Sequence, residues 1–285
     1  DLTAYDVVLT SSSACAKGVI TRSDALNICY CHTPIRYAWE FYYEYIHNFG
    51  KLKKFLIGWF MHHIRMWDRL AADRVDYFIA NSGYIQQRIN KYYRRSSEVI
   101  FPPVNTHLYQ LKPKEDFYLI VSRLVTYKRV NLAVEAFNRL GLPLVIIGDG
   151  GEAEALRKQA KGNVRFLGRL SDEEIADWYS RAKAFVFCGE EDFGITPVEA
   201  QAAGTPVIAY DRGGVLDTVV DGKTGIYFVE STAGSLCAAI QKFEQDGVAC
   251  SAEQIKEHTE QFSLKRFQQQ IDSYIKQCAV EHGIN

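Results

Sequence analysis

The chain has 285 residues, 47% of them hydrophobic and 24% charged, the balance of a soluble globular protein; this excludes a disordered or low-complexity chain and favours two domains over one. The net charge of -1 excludes a dedicated nucleic-acid binder, which carries a strongly basic domain. Charge is nevertheless uneven, with thirteen Lys/Arg against nine Asp/Glu through Pro102 and twenty against twenty-five in the remainder, so the first part suits an anionic partner. The seven cysteines form no C-x-x-C pair, and Cys29 and Cys31 lie two apart on one predicted strand, sharing a face without a bridge. Reduced thiols of a cytosolic protein are expected. No basic and apolar leader follows Asp1-Leu2-Thr3, so no signal peptide is expected. The longest apolar run, Phe55 to Met61, is far short of the roughly 20 residues of a spanning helix.

Short apolar runs alternate with helical patterns almost throughout, the signature of βα units and a parallel sheet. Strands are predicted at 6–10, 27–31, 76–80 and 98–101, and the second of these leads into Cys31-His32-Thr33-Pro34. A His at a strand end, with Pro34 ending regular structure, is placed to hydrogen-bond a substrate; the alternative is an inert loop His. From Arg36 to Arg74, aromatics (Trp39, Phe41, Tyr42, Tyr43, Tyr45, Phe55, Trp59, Phe60, Trp67) mingle with Lys51, Lys53, Lys54, Arg65 and Arg69. That mixture suits either a helix lying on an anionic bilayer or aromatic burial in a core. His62 and His63 carry no metal spacing.

Two prolines at Pro102-Pro103 stop the fourth strand, and nothing periodic resumes until Phe117, which sets a domain boundary. Residues 1–102 form an N-terminal Rossmann-like domain whose four strands are too few for a full one. Residues 103–261 form a doubly wound domain, with strands at 117–122, 143–148, 163–167, 183–187, 206–209 and 225–228. Ligands of such sheets sit at the carboxyl ends of the strands, which directs attention to the loops there.

After the fifth strand comes Ser122-Arg123-Leu124-Val125-Thr126-Tyr127-Lys128, offering a guanidinium and an ammonium to a diphosphate; the alternative is a solvated basic loop. After the sixth, Gly148-Asp149-Gly150-Gly151-Glu152-Ala153 satisfies the dinucleotide fingerprint G-x-G-x-x-A. That fingerprint belongs to the first βα turn of a domain and wants an acid ending the next strand, which here ends Arg165-Phe166-Leu167-Gly168. After the eighth, Glu190-Glu191-Asp192-Phe193-Gly194-Ile195-Thr196-Pro197-Val198-Glu199 crowds three acids before a helix start. Thr196 reads as N-cap, Pro197 as first helical residue and Glu199 as the far member of a capping box, while the free N–H groups of that terminus suit a phosphate.

Together these residues resemble the GT-B-fold glycosyltransferases, specifically the large retaining family numbered four, from about Asp6 to the C-terminus. The family's E-x7-E motif matches Glu191 to Glu199, and its basic pair matches Arg123 and Lys128. Ala203-Gly204-Thr205-Pro206-Val207-Ile208-Ala209, Gly213-Gly214 and Asp221-Gly222-Lys223-Thr224-Gly225 fit as well. The resemblance implies an α/β fold of two Rossmann-like doubly wound domains facing across a cleft, the first incomplete because the family's opening strand and glycine-rich loop would precede Asp1. It implies that a last helix, about 262–285, crosses back to the first domain.

By the same resemblance Glu191 binds donor sugar hydroxyls and Glu199 the ribose. Phe193, Gly194, Ile195 and Thr196 border the sugar and phosphate, the strand-end segment Arg165-Phe166-Leu167-Gly168 resembles the base-binding edge, Gly148 is among the donor-binding residues, and His32 faces the donor sugar. Arg123, Lys128, Glu191 and His32 would be the residues of catalysis. Tyr30 to Glu40 resembles the subset using GDP-mannose or a related donor to build polysaccharide or O-antigen on a lipid carrier. The expected activity is therefore hexosyl transfer with retention, needing no metal or other cofactor, from a nucleotide-sugar donor to a lipid-linked or glycan acceptor, with no nucleic-acid partner. The expected place is the cytoplasm, in peripheral contact with the inner face of the plasma membrane. Two rival readings are an NAD-dependent oxidoreductase using Gly148-Asp149-Gly150 and a non-catalytic nucleotide-sugar-binding module.

Overall fold

A computed structural model describes residues 2–40, 42–47 and 49–284, with the backbone alone at Glu44 and Tyr45. The chain divides into two compact units, Asp1–Phe101 with Phe267–Asn285, and Pro102–Arg266.

In the first unit β1 (Val7–Ser12), β2 (Leu26–Cys31), β3 (Tyr77–Ala80) and β4 (Ser97–Val99) form a wholly parallel sheet in sequence order. Helices α1 (Tyr42–Ile46), α2 (Lys51–Ala72) and α3 (Gly83–Tyr93) connect them. Ser82 caps α3 by accepting the Ile85 amide at 3.1 Å. Because strand side chains alternate, Cys29 and Cys31 pack with Ile85, Ile89 and Tyr93 on one face, while Leu26, Ile28 and Tyr30 take the other. All seven cysteines are free thiols. A buried ion pair joins Lys17 to Asp68 of α2, and Asp68 also accepts from Trp39 Nε1 at 2.7 Å and the Tyr93 hydroxyl at 2.9 Å. This network anchors the inner side of α2, with the two hydrogen bonds on one carboxylate oxygen and the ion pair on the other.

The second unit is a six-stranded parallel sheet of β5 (Tyr118–Val121), β6 (Leu144–Ile147), β7 (Val164–Gly168), β8 (Ala184–Phe187), β9 (Val207–Tyr210) and β10 (Gly225–Phe228). Its order is β10-β9-β8-β5-β6-β7. Counted within the unit this is 6-5-4-1-2-3, the order of a dinucleotide-type doubly wound sheet, and its direction of winding reverses between β5 and β8. Helices α4 (Val130–Leu140), α5 (Ala153–Gln159), α6 (Asp172–Arg181), α7 (Ile195–Ala202), α8 (Ala233–Asp246) and α9 (Ala252–His258) follow their strands. Continuous apolar runs such as Leu144-Val145-Ile146-Ile147 are needed because both faces are covered, Ile146 packing with α4 and α8 residues and Val145 with α6 and α7 residues. The last helix, α10 (Leu264–His282), returns to the first unit, where Phe267, Ile271, Tyr274, Ile275 and Cys278 cover the Leu26, Ile28 and Tyr30 face.

The two parallel sheets give the α/β GT-B class expected from the motifs. All ten strands fall within about two residues of their predicted positions. Among the described residues no helix is long and apolar enough to cross a membrane.

Candidate functional site

The reversal point between β5 and β8 is where a doubly wound sheet leaves a crevice, since the loops leaving the two strands turn to opposite faces. Here those loops are Ser122–Arg129 and Cys188–Gly194, and they meet. Ser122 and Lys128 from the first, with Cys188 and Gly189 from the second, line one recess at the strand ends. Lys128 and Glu191, both half-buried, form an ion pair across it. Lys128 lies against Gly189, where a Cβ would stand 3.4 Å from its Cα. Arg123 is exposed on the same loop. The sequence assigned Lys128 to a phosphate and Glu191 to a sugar; the structure puts both on one spot, each satisfying the other's charge.

The expected capping box is overturned. Gly194, at φ 88°, is the N-cap of α7, and no side chain caps the helix. A capping serine or threonine needs extended backbone; the left-handed turn at Gly194 starts the helix at Ile195, so Thr196 and Pro197 are already its second and third residues. Glu199 is correspondingly two residues deeper, where its carboxylate accepts the Tyr179 hydroxyl at 3.1 Å and meets that of Tyr109. Burial raises its pKa above the usual carboxylate value, opposed by these two hydroxyls. The capping boxes that do form are Ser171 with Glu174 and Ser251 with Gln254, where the first residue is extended. The N-cap glycine has no side chain, so it supplies no cap to the first turn of α7.

The acidic loop is held from behind. The Gly214 amide donates to the Glu191 carbonyl at 2.8 Å, and a Cβ at Gly214 would overlap the Asp192 carbonyl and the Phe193 backbone. Phe193 is buried edge-on to Phe262 at 5.7 Å. Tyr179, Tyr109 and the Gly213-Gly214 pair thus shape the site. Only the glycines carried a sequence signal; the tyrosines lie 20 and 90 positions from Glu199 with no pattern linking them.

The dinucleotide reading loses its footing at Gly148 and Gly150. A Cβ on either would overlap the carbonyl oxygen of Ser122 or Leu124, and the Leu124 and Glu152 amides donate to Asp149 and Leu124 carbonyls, each at 3.0 Å. These glycines are needed for the β5 and β6 loops to pack together. Gly148 also donates its amide to the Gly168 carbonyl at 2.7 Å, tying in the edge strand β7. There Arg165 is exposed, while Phe166 and Leu167 are half-buried across a register shift, a bulge that re-aims side chains. In the first unit, His32 Nε2 lies 2.8 Å from the Ser11 hydroxyl and its ring meets Tyr30 edge-on. Among the described residues no group of three or more His, Cys, Asp or Glu is arranged to hold a metal ion.

Residues 108–262, just over half the chain, match the family model of glycosyl transferases group 1. The alpha-1,3/1,6-mannosyltransferase of Dictyostelium discoideum is 26% identical over 268 residues, covering 75% of this chain and 64% of that protein. The GDP-mannose-dependent alpha-mannosyltransferase of Corynebacterium glutamicum is 37% identical over 107 residues, covering 37% of this chain and 26% of that protein. Sucrose-phosphate synthase from Thermosynechococcus elongatus superposes with a TM-score of 0.79 at 18% identity, covering 98% of this chain and 75% of that one. The chain spans less than two thirds of the length of these curated relatives, 64% of the first and 26% of the second.

Proposed function

Since the chain belongs to the glycosyl transferases group 1 family, we propose that it transfers a hexose from a nucleotide-sugar donor to an acceptor hydroxyl. The observation that carries this reading is the meeting of Lys128 and Glu191 at the reversal point of the sheet, on the two loops that leave β5 and β8. The chemical task is to stabilise the nucleoside diphosphate as it departs, and a cation fixed in a recess does this without reorganisation. Arg123 supplies a second cation. Glu191, released from Lys128 by the incoming diphosphate, accepts from sugar hydroxyls, and Glu199 accepts from the ribose.

Transfer with retention follows the family resemblance: the acceptor oxygen bonds to the anomeric carbon on the face that the diphosphate leaves, and the acceptor's proton passes to the departing phosphate oxygen. GDP-mannose as donor is supported by the mannosyltransferases among the relatives, and a lipid-linked or glycan acceptor follows from the family resemblance alone. The donor clamp needs no metal on this reading.

Two measurements test it. A thermal-shift panel of GDP, UDP, ADP and NAD is expected to give selective stabilisation by GDP, and stabilisation by NAD alone would revive the oxidoreductase. Turnover, or donor binding where no acceptor is supplied, is expected to survive EDTA. It should fall roughly 100- to 1,000-fold in well-folded Lys128→Ala, and Arg123→Lys should fail as well because it lacks the bidentate grip. Abolition by EDTA, or near-normal activity in either variant, would overturn the clamp. Selective donor binding without turnover by the complete protein would identify a binding module.

A further inference from the structure

Helix α2 is anchored on one side and open on the other. Asp68, Ala71 and Ala72 are buried, and Asp68 is held by Lys17, Trp39 and Tyr93. On the opposite side Leu52, Phe55, Trp59 and Leu70 are 74%, 71%, 61% and 63% exposed, with Leu56, Phe60 and Met66 exposed between them. At 100° per residue these positions span about 140° of one stripe along the whole helix, interrupted at one point by His63. Single exposed hydrophobics are ordinary, but a continuous stripe of aromatic and aliphatic side chains is an interaction surface. Of the aromatics that the sequence left open between core and surface, Phe55, Trp59 and Phe60 are on the surface; Phe41 and the Tyr45 side chain lie outside the described residues.

The charges on α2 select the occupant. Its five cations face a single acid, Asp68, which is buried in its own ion pair, and Arg69 is answered by Asp73 just beyond the helix. Lys51, Lys53 and Lys54 stand together in the first turn, which holds no acidic residue. Lysines there oppose the helix macrodipole, so helix stability does not account for their placement. A second copy of this chain would bring the same cations toward one another, whereas an anionic lipid surface attracts all three while the stripe enters the headgroup region. Trp59 and Phe60, at the middle of the stripe, are residue types that settle at that boundary.

We infer that α2 docks this protein on anionic bilayers, lying in the membrane plane with Leu52, Leu56, Trp59, Phe60, Met66 and Leu70 immersed. The inference stands apart from the donor reading, and its test involves neither donor nor turnover. The protein is expected to co-sediment with vesicles of phosphatidylcholine and phosphatidylglycerol at low salt, release as salt rises, and ignore vesicles of phosphatidylcholine alone. Trp emission should shift to shorter wavelength on the anionic vesicles, and most of that shift should vanish in Trp59→Phe. The triple variant Lys51→Gln, Lys53→Gln, Lys54→Gln loses about fivefold in partitioning per lysine, on the order of a hundredfold in all. Trp59→Ser with Phe60→Ser abolishes binding without lowering the melting temperature, since both side chains are exposed. Failure to bind anionic vesicles, equal binding to both kinds, or binding unchanged in these variants would overturn the inference, as would a soluble dimer dispersed by Trp59→Ser with no vesicle binding.

Discussion

At the scale of single residues, Glu199 separates a ligand role from a structural one. Burial holds its carboxyl above the usual value, with Tyr179 and Tyr109 donating to the charged form. A native pKa above the unfolded one means that the native state holds the extra proton between the two values. This group therefore contributes stability below that interval, and stability falls as pH rises through it. Glu199→Gln keeps an acceptor for the tyrosines while removing the buried charge, so at neutral pH the variant should melt no lower than the wild type. Donor affinity should nevertheless fall roughly tenfold, because a charge-assisted bond to the ribose becomes a neutral one. In titrations of the wild type, affinity should weaken as pH drops through the raised pKa, and the variant should show a flat profile over the same range. Equal affinities and parallel profiles would leave Glu199 as packing alone.

At the scale of elements, the helix beginning at Ile195 is positioned by what lies behind the preceding loop. The loop Glu190–Phe193 rests on Gly214, whose amide holds the Glu191 carbonyl. Gly214→Ala should force loop and glycine apart, costing about 1–3 kcal/mol as overpacking does and weakening donor binding by more than the loss of stability explains. Gly141→Ala is the matched control. Its φ of 73° strains any side chain by about 1 kcal/mol, yet nothing lies within 4 Å and no donor group is near it in sequence. It should lower the urea midpoint with donor affinity unchanged; equal affinity in the two variants would sink the backing role.

These elements also mark what could be read from the chain. The strands were legible because apolar runs bounded by Pro, Gly and charges have one interpretation in a βα pattern, as Leu144–Ile147 shows. The recess was legible because Lys128 and Glu191 both lie on loops that leave the carboxyl ends of strands. The helix start at Ile195 was not, since Thr196-x-x-Glu199 has the same letters as a working cap and only the φ of Gly194 distinguishes them. Nor was the Lys17–Asp68 pair, whose members are 51 residues apart and look like two surface charges. Alternation and spacing report local geometry; long-range side-chain pairing leaves no comparable trace.

At the scale of the whole molecule, the chain's return makes the first unit discontinuous, with Pro102–Arg266 inserted between Phe101 and Phe267. Each unit has its own parallel sheet covered on both faces, the condition for separate cooperative unfolding. The proposed donor recess is built wholly from residues of Pro102–Arg266, whereas α2 belongs to the other unit. Two ligands should therefore leave two footprints. At a free nucleotide concentration about a hundred times its Kd, binding stabilises the folded unit by about 2.7 kcal/mol. For a unit of that size this amounts to roughly 5–10 °C in Tm. In calorimetry GDP should raise the transition of the second unit by that amount, and in hydrogen exchange it should slow the amides of Ser122–Arg129 and Cys188–Glu199. Anionic vesicles should instead slow Lys51–Ala72 and leave the recess loops unchanged. Protection of α2 by GDP in the absence of lipid, or of the recess by lipid in the absence of GDP, would show that the sites are coupled; a GDP footprint confined to the first unit would move the donor site out of the β5–β8 recess altogether.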